Sequence, residues 1–191
     1  MHLSNRKQVD IAYLDFAKAF HSVVHNKLLF IVNAHGFDGL LYSWILEFLS
    51  IRYQCVKVGN CVFSVCNVIS GVPQGSVVGP LLFIIYINDL SDVANNYQNT
   101  VTFKLFADDA KFNSCIDNLK NVETLQNCLD SVLQCAGVWQ LTLSFAKCKI
   151  FVLRNIKFSN VYKLGGTPLP KLIIILILEL LWITNLHLNC I

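Results

Sequence analysis

Charged side chains are scarce in this chain of 191 residues: 14% are Asp, Glu, Lys or Arg, while 54% are hydrophobic. A typical soluble domain is about a quarter charged. The deficit points to apolar surface held against something else, or to a chain that handles poorly alone. Acidic residues are missing altogether from Ser131 to Leu178, a stretch that holds Lys147, Lys149, Arg154, Lys157, Lys163 and Lys171. A one-signed stretch can follow a phosphate backbone, although an ordinary solvated face is the commoner outcome. The net charge of +3 does not separate the two.

Other absences exclude whole classes. None of the eight cysteines forms a C-x-x-C pair, and no Cys/His group has zinc-ligand spacing. Reduced thiols acting as small core residues are expected. Met1 to Asp10 is polar with no apolar core, so no secretory signal is expected and the protein is placed inside the cell, in cytoplasm or nucleus. The longest apolar run, Leu172 to Ile183, contains Glu179. At about 12 residues it falls well short of the roughly 20 a membrane span needs. A buried strand or the scar of a frameshift is expected there, and no stable membrane association.

What is present reads as alternating elements. Val9 to Phe16 is rich in Val, Ile and Tyr and predicts a buried strand. Helices are predicted over Asn26–Ala34 and Leu40–Leu49, separated by His35-Gly36-Phe37-Asp38-Gly39. Tyr53–Val58 and Val62–Val68 flank Gly59-Asn60 as a hairpin. Ser70 to Ser76 is a loop by composition, and Pro80 suits the first turn of a helix. That helix, Leu81 to about Leu90, is apolar nearly all round and is expected to be deeply buried. Val101–Phe106 and Ala110–Asn113 predict strands on either side of Ala107-Asp108-Asp109. Val122, Leu125, Leu129, Val132, Leu133 and Ala136 recur at three and four residues, an amphipathic helix. Lys149–Leu153 and Asn160–Leu164 predict two more strands. The order implies an α+β fold, an antiparallel sheet with helices mainly on one face.

Three carboxylates stand out because apolar sequence surrounds them. Asp15 ends the run Ile11-Ala12-Tyr13-Leu14, and Asp108 and Asp109 follow Lys104-Leu105-Phe106-Ala107. A charge at the edge of a buried strand is costly unless paired or bound to metal. Aspartate oxygens are hard ligands of the kind Mg²⁺ takes. Each also has a plainer reading: Asp-Asp is a common turn dipeptide, and Asp15 could cap the segment after it.

Together the segments say more. Tyr13-Leu14-Asp15-Phe16-Ala17-Lys18-Ala19-Phe20 resembles the first catalytic motif of reverse transcriptases. Ser70-Gly71-Val72-Pro73-Gln74-Gly75-Ser76, continuing through Gly79-Pro80-Leu81-Leu82, resembles the second. Phe106-Ala107-Asp108-Asp109 resembles the third. Trp139-Gln140-Leu141 with Lys147-Cys148-Lys149 resembles the fourth, and Gly165-Gly166-Thr167-Pro168-Leu169 the approach to the fifth. The motifs stand in the family's order, and the wording is most similar to LINE-like, non-LTR retrotransposons. Group II intron maturases and telomerase share the chemistry.

The resemblance implies a polymerase palm over residues 1–171, with fingers and thumb incomplete, followed by a degenerate hydrophobic segment over 172–191. It implies RNA-directed DNA polymerisation with an RNA template, a DNA primer and a dNTP, using two Mg²⁺ ions, with Mn²⁺ as a substitute. Asp15 and Asp108 would hold the metals with Asp109 beside them, and the Phe16 carbonyl would complete a metal shell. Phe20 would lie under the incoming sugar and exclude a 2′-hydroxyl. Gln74 and Gly75 would meet the nucleotide, with Gly71 and Gly75 allowing close backbone approach. Lys147 would stand near the triphosphate, and Lys149, Arg154 and Lys157 would contact nucleic acid.

The chain departs from the family in four places. It begins fourteen residues before Asp15, so fingers, endonuclease and most thumb portions of a parent polyprotein are expected to be missing, with little or no turnover from this piece. His21 stands where relatives carry Asp, Ser144 where they carry Asn, and Ile and Leu fill the region after Lys171. Two alternatives accompany the enzyme: a non-catalytic remnant that binds nucleic acid, and a small membrane-associated protein held by Leu172 to Ile183.

Overall fold

The computed structural model describes residues 7–153 and 156–174. In chain order the elements are β1 (Gln8–Asp15), α1 (Ala19–Ser22), α2 (His25–Ala34), α3 (Gly39–Leu49), β2 (Tyr53–Gln54), β3 (Lys57–Val58), β4 (Cys61–Val62) and β5 (Cys66–Asn67). They continue with α4 (Val78–Ile87), α5 (Asp89–Asn95), β6 (Val101–Phe106), β7 (Asp109–Ile116), α6 (Leu119–Val138), β8 (Lys149–Leu153), β9 (Lys163–Leu164), β10 (Thr167–Pro168) and β11 (Lys171–Ile174). They form two compact units. One takes the chain up to Phe16, Leu90–Cys135 and the chain from Leu143 onward; the other takes Ala17–Asp89 and Ala136–Thr142.

The first unit is built on a five-stranded sheet in the order β11-β8-β1-β7-β6. β1 is its centre, antiparallel to β7 on one side and to β8 on the other. Most of the residues of β1 are buried, and its apolar stretch runs from Ile11 to Leu14. Strand periodicity sorts the rest. Ala12 and Leu14 of β1, Ala110 and Phe112 of β7, and Ile150 and Val152 of β8 share one covered face. α6 carries a buried stripe of Leu125, Leu129 and Val132, the surface such a face packs against. α6 starts at a reciprocal cap: the Asn121 amide donates to Asn118 Oδ1 at 3.0 Å, and the Asn118 amide donates to Asn121 Oδ1 at 3.2 Å.

The opposite face is more open and carries Tyr13, Asp15, Asp109, Lys111, Lys149 and Phe151. Tyr13 meets Phe151 edge to face at 5.0 Å, and the Lys111 ammonium lies 5.1 Å from the Tyr13 ring centre.

Asp10 lies on the covered face and is fully buried. Its oxygens accept from Gln8 Nε2 at 2.8 Å and from the Tyr162 hydroxyl at 2.7 Å. Gln8 Oε1 in turn accepts the Lys157 and Phe158 amides at 2.9 and 3.0 Å. The cluster ties the segment around residues 157–162 to the N-terminal half of β1.

In the second unit α2 packs against α3 and α4. β2 pairs β5 and β3 pairs β4, so the expected hairpin forms as two short ladders around Gly59-Asn60.

Several expectations need correction. β11 runs parallel to β8, so the sheet is antiparallel except at this edge. It carries the strand through the expected boundary at 171/172; the remainder of the Leu172–Ile183 run, from residue 175, lies outside the described residues. Among the described residues no helix is long and apolar enough to cross a membrane. Only Lys163–Leu164 of the predicted strand Asn160–Leu164 is a strand, because residues near Asn160 are drawn into the Gln8 and Asp10 cluster instead. α4 is not buried all round: Leu82, Phe83, Tyr86 and Ile87 are buried, whereas Leu81 and Ile84 are about half exposed. Composition reports how apolar a helix is, and the helical period decides which side finds a neighbour. Cys128 and Cys148 are buried as expected, but Cys55, Cys61 and Cys66 are exposed on the hairpin.

Burial raises the Asp10 carboxyl above its usual 3.8, against the opposing hydrogen bonds from Gln8 and Tyr162 and the charge of Lys171. Between the ordinary and the raised value the folded state keeps a proton that the unfolded chain has released, so stability falls as pH rises through that window. Asp10→Asn cannot ionise and is expected to flatten this fall in urea unfolding followed from about pH 4 to about pH 7. The same slope in both proteins would locate the pH dependence elsewhere.

Candidate active site

Asp15 closes β1, Asp109 opens β7, and the register sets them directly opposite one another. Opposed residues in an antiparallel pair stand about 4.5–5.5 Å apart at Cα. Two carboxylates on one face of the sheet therefore crowd each other, and like charges so placed are destabilising. Asp108 sits in the two-residue turn between β6 and β7, where Phe106 pairs with Asp109. Its neighbour Ala107 has φ 52°, a left-handed conformation that costs a residue with a Cβ about 1–2 kcal/mol. The sheet holds that strain beside the carboxylates.

The crowding adds to the forces that act on the Asp109 carboxyl. Asp109 is exposed; partial desolvation and the charges of Asp108 and Asp15 push its carboxyl above the usual range, and Lys147 pulls it back. Lys147 Nζ lies 3.3 Å from Asp15 Oδ1 and 3.4 Å from Oδ2. Asp15 Oδ1 is buried and receives no hydrogen bond; its contact with Lys147 is an ion pair without hydrogen-bond geometry. A buried carboxylate oxygen lacking a donor, beside a second carboxylate on the same face, suits a hard divalent cation. Among the described residues no three His, Cys, Asp or Glu side chains gather as a ready metal-ligand set. Asp15 and Asp109 face one another across the sheet, and Asp108 adjoins them in the turn.

Lys147 reaches the pair through a backbone device that the sequence alone did not reveal. The Ser144 amide donates to the Asp15 carbonyl at 2.8 Å, and the Ser144 carbonyl accepts the Lys147 and Cys148 amides at 2.8 and 3.1 Å. Phe16, with its ring buried, bridges Leu143. The turn from Ser144 to Lys147 is thus fastened to the end of β1 by main-chain groups. Any residue except proline supplies that amide, so serine in place of asparagine leaves the fastening intact.

The remaining candidates divide. Lys149 is exposed and pairs with Tyr13, on the open face that also carries Asp15. Lys157 is exposed but sits beside Gln8, at the far end of β1. Seven residues at about 3.3 Å each put it roughly 20 Å along the strand from Asp15, so the structure does not bring it to the carboxylates. Arg154 lies outside the described residues.

Phe20, Gln74 and Gly75 belong to the second unit. Phe20 lies in α1 and stacks on Phe83 at 4.4 Å. Gln74 is exposed, with Nε2 3.4 Å from His21 Nδ1. The two glycines of this loop differ. A Cβ at Gly71 would meet the His21 Cα at 2.9 Å, whereas one at Gly75 would meet nothing within 4 Å. Close approach applies at Gly71; at Gly75 the requirement is conformational, with φ 82°. Sequence reasoning passed over Ser76, whose hydroxyl donates to the Pro73 carbonyl at 2.7 Å and accepts the Gly79 amide at 2.9 Å.

Replacing Lys147 tests the electrostatics directly. Lys147→Met is expected to raise the Asp109 carboxyl further, read by NMR titration of the side chain. Because Lys147 is largely exposed, global stability should change by less than about 1 kcal/mol. An unmoved Asp109 titration would show that the ammonium does not reach the pair in solution.

Comparison with known proteins identifies what the chain is similar to. The family described as reverse transcriptase (RNA-dependent DNA polymerase) matches residues 2–165. The chain is 30% identical over 170 residues to the RNA-directed DNA polymerase from mobile element jockey of Drosophila melanogaster, covering 87% of this chain and 18% of that protein. It is 29% identical over 92 residues to the retrovirus-related Pol polyprotein from type-1 retrotransposable element R2 of Popillia japonica, covering 48% of this chain and 15% of that protein. The fold matches apo telomerase from Candida tropicalis, truncated from its C-terminal domain, with a TM-score of 0.61 at 13% identity, over 84% of this chain and 33% of that one. The chain thus spans less than a fifth of the length of these curated relatives. The opposed aspartates, the lysine fastened beside them and the extent of the match give one conclusion: the chain belongs to the reverse transcriptase family, with LINE-like, non-LTR polymerases among its relatives.

Proposed function

We propose that this chain carries the palm chemistry of an RNA-directed DNA polymerase, transferring a nucleotidyl group from a dNTP to a primer 3′-hydroxyl on an RNA template. The observation that carries the proposal is the pair Asp15 and Asp109, opposed across β1 and β7, with a buried, undonated Asp15 oxygen and Lys147 at 3.3 Å. In the reaction the primer oxygen attacks the α-phosphorus, the bond to the leaving pyrophosphate breaks, and the hydroxyl proton is released.

Asp15 and Asp109 would hold a divalent cation, with Asp108 and the Phe16 carbonyl as further ligands. Two Mg²⁺ ions, or Mn²⁺ in their place, are the finer proposal. Such an ion, when bound, makes the primer hydroxyl more acidic and offsets charge on the phosphates. The protein supplies the rest. The sheet fixes the carboxylates before substrate arrives, so no reorganisation is needed at the moment of transfer. Lys147 has two tasks: it balances Asp15 in the free protein, and its ammonium can pass a proton toward pyrophosphate. Phe20, held flat against Phe83, has little freedom to yield to a 2′-hydroxyl, the group that separates rNTP from dNTP. Gln74 and Gly75 would meet the nucleotide, and Lys149 the nucleic acid.

Primer extension on an RNA template with dNTPs and Mg²⁺ is the test. Asp15→Asn and the double change Asp108→Ala with Asp109→Ala should each lower extension by about a thousandfold or more, the several kcal/mol a metal site contributes. Extension that survives these changes would sink the assignment. Salt-dependent RNA binding without extension, indifferent to the aspartates, would favour a non-catalytic binding remnant.

Phe20 gives a second readout in the same assay. Phe20→Val should raise the use of rNTP relative to dNTP by roughly tenfold or more, since it removes a steric barrier rather than a contact. An unchanged ratio would return Phe20 to the role of a core aromatic.

A further inference from the structure

The second unit contains a histidine that none of the catalytic motifs includes. His25 is the first residue of α2, and its Nε2 lies 2.8 Å from the Gly71 carbonyl oxygen. A carbonyl can only accept, so the ring nitrogen facing it carries the proton. That leaves two states, the Nε2–H neutral tautomer or the imidazolium, and both can donate.

Gly71 is gripped from every side. Its amide donates to the Val23 carbonyl at 2.8 Å, and the next amide, Val72, donates to the Phe20 carbonyl at 2.9 Å. Ser70 bridges Val24. The Gly71 carbonyl takes the His25 ring, and Arg52 Nη1 at the longer distance of 3.4 Å. At the other end of the loop, Ser76 ties Pro73 to Gly79 at the start of α4. Between these two anchors stand Gln74, which is exposed, and Gly75, which has open space around it. Gln74 makes a side-chain contact of its own, Nε2 3.4 Å from His21 Nδ1, while its backbone is held by the two anchors.

We propose that His25 is a positioning residue: its ring proton fixes the Gly71 peptide, and through it the Ser70–Ser76 loop that presents Gln74. The importance of Gln74 rests on the polymerase reading above; the positioning itself does not. His25 holds the upstream anchor because its hydrogen bond is the shorter of the two side-chain bonds to that carbonyl, and because α2 gives the ring a rigid base.

The test is amide hydrogen exchange of the full chain, comparing wild type with His25→Leu and His25→Gln. Leucine keeps apolar volume and loses the donor. Glutamine can place an N–H close to where Nε2 stands. His25→Leu should speed exchange at Gly71 and Val72 by about fivefold, the effect of one net hydrogen bond on local opening. Amides of β1 and β7 should be unchanged, and His25→Gln should return the loop to within about twofold of wild type. Unchanged exchange in His25→Leu would overturn the proposal, as would equal acceleration at β1 and β7, which would make His25 a general stabilising residue. Failure of glutamine to restore the loop would also overturn it, because the donor is the claimed cause. The readout needs no catalysis, so absent primer extension bears on the polymerase reading and leaves this one to be judged by exchange alone.

Discussion

The pairing of β1 with β7 is the constraint on which the rest of the first unit depends. β1 sits between two antiparallel partners, and its side chains alternate between a covered face and an open one. A slip of one residue would exchange those faces. Ala12 and Leu14 would lose their burial, Asp10 would leave Gln8 and Tyr162, and Asp15 would turn into the core. The apolar alternation and the Asp10 cluster therefore enforce the same register that sets Asp15 against Asp109. Two like charges face each other because the core, buried elsewhere along the same strands, leaves them no cheaper alternative. A cation suits that position for the reason the position is unfavourable without one.

The lysine beside the carboxylates follows from that register too. Lys147 comes from a segment more than a hundred residues away, and the fastening is made by main-chain groups: the Ser144 amide on the Asp15 carbonyl and the turn that follows. In the second unit the motif loop is likewise held through its backbone. The glycine at 71 is required by contact with the chain at His21, and the ring of His25 acts on a peptide carbonyl. In both places a side chain's function depends on peptide groups whose identity the sequence does not vary.

The low charge content also finds a location. Tyr53, Val56, Val58, Val62, Phe63 and Val65 on the hairpin are exposed, as are Leu40 and Trp44 on α3 and Leu81 and Ile84 on α4. An apolar composition that overall statistics could only flag is concentrated in the second unit, on elements whose other sides are already packed or whose strands are too short to form a core. Surface of this kind, beyond what isolated apolar residues produce, is what interfaces and aggregation use.

The sequence by itself determined which residue types stand in the site and the order of the elements. Asp15, Asp108 and Asp109 stood out because charges bounded by apolar runs are costly, and α2, α3, α6 and the β6–β7 hairpin were legible because their periods are local, whereas the short helices α1 and α5 were not foreseen. Tertiary structure decided everything that depends on a partner distant in the chain. It made β11 parallel, left one side of α4 open, and brought Lys147 to Asp15. It kept Lys157 at the far end of β1 and gave His25 a hold on Gly71. The physical reason is range: hydrophobic period and turn chemistry act over a few residues, whereas register, ion pairs and backbone anchors are fixed only once distant strands and loops have met.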